Sequence, residues 1–255
     1  MSPLAIDLGI VWPALAAGLL VTATHAPLGI QVLRRGIVFI DLAVAQIAGL
    51  GVVLADWLGF EPHGAAVQVA ALGAALAGAL LLDWTERRWP EVQEAVIGVS
   101  FIVAANVAIL LLAANARGAE HLKDLLAGQI LWVNAAILPW VALAYAAILA
   151  IWFALGERMG RTGFYLLFAC AVTVSVQLVG LYLVFTTLIV PALATRNFAR
   201  GRLAASYALG ALGYAAGLGL SLLSDLPAGP LSVCAMTALG AVLFTFGPEA
   251  PAPRA

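Results

Sequence analysis

Of the chain's 255 residues, 64% are hydrophobic and 10% charged, and the formal net charge is −1. A soluble domain carries about 25% charged residues, so this chain cannot solvate a globular surface of its own. A near-neutral balance, with no basic face interleaved with aromatics, also excludes a nucleic-acid binder.

Charge-free runs occupy residues 8–33, 62–82, 95–116, 125–156, 162–195, 203–224 and 226–248. Most approach the roughly 20 apolar residues that a spanning helix needs. They lack the alternating pattern of a membrane barrel, and backbone groups in lipid must bond internally. The sequence therefore predicts an all-α, polytopic transmembrane helix bundle in a single domain, residues 1–255. The first run has no basic stretch before it, so it does not read as a cleaved signal peptide. It ends at Arg34 and Arg35. Because Lys and Arg favour cytoplasmic loops, this end is expected inside and the N-terminus outside.

Segment two, about 37–55, then exits at Asp56, Glu61 and His63, and segment three returns to Asp83, Glu86, Arg87 and Arg88. Segment four exits at Arg117, Glu120, His121, Lys123 and Asp124; segment five, about 131–155, returns to Glu157, Arg158 and Arg161. The next charge-free run, 162–195, would form a helix about 50 Å long, against a hydrocarbon core of about 30 Å. A single crossing would also leave Arg196, Arg200 and Arg202 outside. Two short limbs remove both conflicts, with a break at Val179-Gly180 and the second limb running from Leu181 to Pro191. Segment eight exits to Asp225 and segment nine brings Arg254 inside. Eight to nine limbs result, the nine-limb count placing ten of the 12 basic residues inside, with a disordered tail at about 248–255. The outer loops are rich in carboxylates, which would draw cations or are simply polar loops.

Polar residues at membrane depth are His25, Asp41, Gln46, Gln68, Asn106, Ser175, Gln177, Thr186 and Thr187. Ionisable groups there are costly to bury and are candidates for function, whereas amides and hydroxyls more often join helices. His25 and Asp41 are accordingly candidate metal-pathway residues, followed by Gln46 and Gln177. The plain alternative for Asp41 is capping, or complementing the positive end of the helix it opens. Pro27-Leu28-Gly29 is read as a break at a helix end. Cys170 and Cys234 are expected as buried free thiols, with a disulfide or metal pair as the alternative. Gly213 and Gly217 suggest a packing face. No His-Glu-x-x-His, Gly-x-Ser-x-Gly or CxxC motif is present, and no enzymatic activity is expected.

Three stretches carry a more specific signal: His25-Ala26-Pro27-Leu28-Gly29 with Arg34-Arg35 and Asp41; Val179-Gly180 through Thr186-Thr187 and Pro191-Ala192 to Arg196; and Pro227-Ala228-Gly229-Pro230. With these the chain resembles the permease subunits of bacterial zinc/manganese-type ABC importers. The resemblance implies a type II ABC importer permease-like fold in the bacterial inner membrane. It also implies partners: an ABC ATPase subunit, a periplasmic metal-binding protein and a second permease copy. Arg196, Asn197, Phe198, Arg200 and Arg202 become the ATPase-docking candidate, against the alternative of ordinary positive-inside charge. The chain itself binds no cofactor: its only lysine, Lys123, lies between Leu122 and Asp124, so no P-loop exists and ATP is used by the partner. The chain departs from the family where His is usual four residues after Asp41, reading Ala45 and then Gln46. It also departs in the fourth segment, which reads Ser100-Phe101-Ile102-Val103, at Gly128-Gln129, and in the shortened 156–163 stretch. The expected cargo is a divalent metal ion (zinc, manganese or iron). A metal chelate or other small solute, or a self-sufficient secondary transporter, remains as the alternative.

Overall fold

The computed structural model describes residues 3–61, 64–113, 130–224 and 226–248. Among these residues there are nine α-helices and no strand: α1 (Pro3–Arg35), α2 (Ile40–Trp57), α3 (Ala65–Arg88), α4 (Gln93–Ala113), α5 (Leu138–Leu155), α6 (Gly160–Val179), α7 (Leu181–Ala194), α8 (Arg202–Ser224) and α9 (Ala228–Phe246). Seven of the described helices are long and apolar enough to cross a bilayer. At 21 residues α4 also has the length of a span, while α7, at 14 residues, is shorter than a bilayer core requires. The outer-loop residues His63, Arg117, Glu120, His121, Lys123, Asp124 and Asp225, the Gly128-Gln129 pair and tail residues 249–255 lie outside the described residues.

The expected break in the 162–195 run falls at Gly180, where φ is 86° and ψ 160°. That backbone region is essentially closed to residues with a Cβ, so one helix must stop and another start there. Two expected breaks do not form. Pro27 lies inside α1, which continues to Arg35, and Pro191 lies inside α7, which continues to Ala194. A proline removes the bond to the carbonyl four residues back, which for Pro27 is that of Ala23. The Tyr207 hydroxyl on α8 donates to the Ala23 carbonyl at 3.2 Å, so α1 passes the proline without an orphaned acceptor. The helix ends instead at Gly36, φ 71°.

Two compact units make up the chain: residues 1–35, 127–145 and 178–255 in one, and 36–126 and 146–177 in the other. In the first unit, α1, α7, α8 and α9 approach through small residues, as helices do where lipid removes the hydrophobic drive to associate. A Cβ on Gly29 would overlap the Leu188 carbonyl, and one on Gly18 the Tyr214 ring. Gly213 and Gly217 meet Met236 and Ser232 of α9, which confirms the packing face. In the second unit α2 meets α3 where a Cβ on Gly51 would come 2.7 Å from the Ala70 carbonyl oxygen. Val53 of α2 packs on Ala108 of α4. Aromatic stacking of Phe164 on Phe168, with centroids 5.6 Å apart, lines α6.

Tyr207→Phe is expected to destabilise the protein by about 1–3 kcal/mol, the cost of leaving a buried carbonyl unpaired. Gly217→Leu should do so by a similar overpacking cost, about 1–3 kcal/mol. Thermal unfolding of the detergent-solubilised protein measures both, and unchanged midpoints would refute these contacts.

Candidate functional site

Three places in the fold hold chemistry that packing alone does not require. His25, on α1 in the first unit, is fully buried. Its Nδ1 lies 3.1 Å from the Val21 carbonyl and 3.0 Å from the Thr24 hydroxyl, and its Nε2 is buried with no hydrogen-bond partner among the described residues. Helical periodicity puts it on the stripe of Gly18, Thr22 and Gly29. Gly18 and Thr22 on that stripe meet Tyr214 and Gly210 of α8, and Gly29 meets Leu188 of α7. Thr187 of α7 and Tyr214 of α8 share a hydrogen bond of 2.9 Å.

Asp41 lies in the second unit, in the first turn of α2, also fully buried. It does not cap its helix: Phe39 is the N-cap residue, and neither Asp41 carboxylate oxygen has a hydrogen-bond partner among the described residues. The capping is done from elsewhere. Glu94, at the start of α4, accepts the Phe39 amide at 3.3 Å. Asp41 therefore lies where the helix dipole favours an acid, with neither oxygen in a well-formed hydrogen bond among the described residues.

The other expected pathway residues divide. Gln46 is buried on α2, whereas Gln177 and Gln68 are exposed. Ser175, Thr186 and Thr187 each donate to the carbonyl four residues back, the common way a hydroxyl is satisfied inside a helix. The side chain of Asn106 lies outside the described residues. Cys170 and Cys234 are free, but Cys170 is only half-buried and Cys234 exposed. An apolar run indicates immersion in lipid and not which side of a helix faces protein, and a thiol is apolar enough for either. Among the described residues no group of three or more His, Cys, Asp and Glu is placed to hold a metal ion.

The third place is the α7–α8 corner. Arg196 and Arg200 are exposed, Asn197, Phe198 and Arg202 half-buried. The Arg196 guanidinium stacks 4.3 Å from the Phe244 ring centroid. Arg202 turns inward and donates from Nη2 to the Ala192 carbonyl at 3.0 Å, where the negative end of α7 favours a cation. Thr195 donates to the Pro191 carbonyl at 2.7 Å and shares a 2.8 Å bond with Ser206. Of the docking set, Arg196 and Arg200 are thus presented outward, while Arg202 ties the corner together.

Sequence reasoning missed one further polar layer in the second unit. Asp83 accepts from Arg87 at 2.7 Å and from Thr162 at 3.0 Å, and Arg87 also donates to Thr162. Gln93 donates to the Leu82 carbonyl at 2.9 Å and to Tyr165 at 3.3 Å. A 3.5 Å ion pair joins Arg161 to Glu86. The charges were visible as loop markers, but their pairing joins residues up to 79 apart.

Apolar helices of spanning length, joined through small-residue contacts, define a multi-pass helical membrane protein. The profile of the ABC 3 transport family matches residues 7–159 and 155–247, and the chain belongs to that family. The chain is 25% identical over 262 residues to the high-affinity zinc uptake system membrane protein ZnuB of Haemophilus influenzae, covering 94% of this chain and 98% of that protein. Its fold matches PsaBC from Streptococcus pneumoniae, solved in complex with Fab, at a TM-score of 0.76 and 20% identity, over 94% of this chain and 92% of that one. It also matches an inward-facing ABC transporter described as of metal-chelate type, at 0.70 and 17% identity, over 92% and 85%. This is a transport subunit and not an enzyme, as the sequence reading expected.

Arg200→Met and Arg202→Met separate the two kinds of corner residue. If Arg202 works through Ala192, its loss should destabilise the protein by about 1.5–3 kcal/mol, the range for a charged hydrogen bond. The exposed Arg200 should change stability by less than about 0.5 kcal/mol. Equal shifts in thermal unfolding of the two variants would dismiss the distinction.

Proposed function

We propose that this chain is the membrane-spanning permease of an ABC importer that carries a divalent metal ion (zinc, manganese or iron) across the bacterial inner membrane. Membership of the ABC 3 transport family along nearly the whole chain carries this reading. The end-to-end likeness to a zinc uptake membrane protein supports it. Residues 1–255 act as one permease domain with the N-terminus outside and the basic corner at 195–202 in the cytoplasm, as the distribution of arginines favours. Hydrolysis of ATP falls to a separate ATPase subunit docking on Arg196, Asn197, Phe198 and Arg200, and a periplasmic binding protein delivers the cargo. Two permease copies complete the pathway.

His25 and Asp41 handle the cargo. Both are fully buried with ligand atoms left unengaged among the described residues, and imidazole and carboxylate suit zinc, manganese and iron. Gln46 and Gln177 rank lower, because amides are poor ligands for these ions and Gln177 is exposed. A second reading, a metal chelate as cargo, is favoured by Ala45 standing where the family usually has His. A chelate brings its own ligands and asks fewer of the pathway.

Growth of a strain lacking the gene, in metal-depleted medium, tests the cargo. One divalent metal should restore growth through the intact gene, and Asp41→Asn should reduce uptake of that metal by about tenfold or more, the usual size of a lost ligand contact. Rescue only by a chelated form would select the second reading. Uptake that persists without any partner ATPase would make the protein a self-sufficient transporter and end the importer proposal.

A further inference from the structure

His25 is held in one tautomer, and its form is readable from its neighbours. The Val21 carbonyl oxygen can only accept, so an Nδ1 at 3.1 Å from it must carry the ring proton. The Thr24 hydroxyl agrees: it donates its own proton to the same carbonyl at 3.1 Å, leaving its oxygen free to accept from Nδ1 at 3.0 Å. The opposite tautomer would face two lone pairs across 3.1 Å. With Nδ1 protonated, Nε2 is a bare lone pair, buried and unpartnered among the described residues.

A buried acceptor in that condition gives up the hydrogen bond that water would supply. An apolar side chain at this position would carry no such unpaired acceptor. The arrangement is that of a metal-ligating histidine: one ring N–H is fixed on a backbone carbonyl, which aims the other nitrogen and raises its basicity. Imidazole nitrogen binds first-row transition ions well and binds magnesium or calcium poorly.

We infer that His25 Nε2 is a coordination point for a divalent transition-metal ion in the first unit, with Thr24 as the positioning residue that holds its tautomer. The inference rests on the importer reading and narrows it, since the ion touching α1 is then a borderline, nitrogen-preferring one.

The test uses the complete transporter in lipid nanodiscs. The chain has three histidines, so His63→Gln/His121→Gln leaves His25 as its only imidazole, with the partner subunits left unlabelled and the permease labelled with 15N-histidine. Substoichiometric Cu2+ serves as the probe. Pulsed electron paramagnetic resonance should then show coupling to the remote, protonated nitrogen of a coordinated imidazole, lost in His25→Gln. In the same preparations zinc affinity should fall about tenfold or more in His25→Gln and about tenfold in Thr24→Val, which keeps the ring and removes one acceptor of its N–H. Thr24→Val also decides the matter should His25→Gln fail to assemble. Absence of imidazole coupling, or zinc affinity unchanged in Thr24→Val and in an assembled His25→Gln, would overturn this assignment while divalent-ion uptake by the unmodified transporter left the importer reading intact. If the unmodified transporter moved no divalent ion at all, the importer reading would fail and take this one with it.

Discussion

A backbone carbonyl inside a bilayer has no water to fall back on, and the fold is arranged around that constraint. Pro27 sets Ala23's oxygen free in the middle of α1, and a tyrosine 184 residues away reaches across to claim it. The hydroxyls of Thr22, Thr173, Ser175, Thr186 and Thr187 are absorbed the same way, each donating one turn back along its own helix. Against this background an imidazole nitrogen and a carboxylate without hydrogen-bond partners among the described residues stand out. In water they would be unremarkable. In lipid, leaving them so costs stability.

Small residues supply the second half of the logic. Gly29 and Gly217 bring helix backbones to distances that no side chain tolerates, and Gly18 admits the Tyr214 ring, the kind of contact that joins helices where lipid removes the hydrophobic drive. The α7–α8 corner is built on different terms, with Arg202, Thr195 and Ser206 sharing the last carbonyls of α7. Arg196, stacked on Phe244, and Arg200 stay exposed at the same corner. One basic cluster in the sequence therefore holds two kinds of arginine, exposed ones and one tied to a helix end.

What the sequence made legible was what charge and length control: the helical class and the stop at Gly180. These follow from local rules, because a charge cannot sit in lipid and a helix of given length has a given reach. The candidate residues were legible only as types. His25 and Asp41 stand out in the sequence as ionisable groups in apolar runs, and the structure adds their burial and, among the described residues, ligand atoms without hydrogen-bond partners. The capping alternative for Asp41 is not taken up: Phe39 is the N-cap residue, and its amide donates to Glu94, 55 residues away in the chain. Gln177 and Cys234 show the complementary limit, since an apolar run does not say which face of a helix looks inward. The two inert prolines mark a third: Pro27 was readable as a lost hydrogen bond, but its replacement partner was not.

Gly180 has an implication for how the protein is made. Between Arg161 and Arg196 no charge punctuates the chain, so the machinery that threads a nascent polypeptide into the membrane meets one undivided oily segment. The division into α6 and α7 is written in a single backbone conformation, φ 86° and ψ 160°. Hydropathy thus decides that this stretch enters the membrane, and torsional energy decides how it is partitioned there. The boundary between these two helices rests on one hydrogen atom standing in place of a side chain.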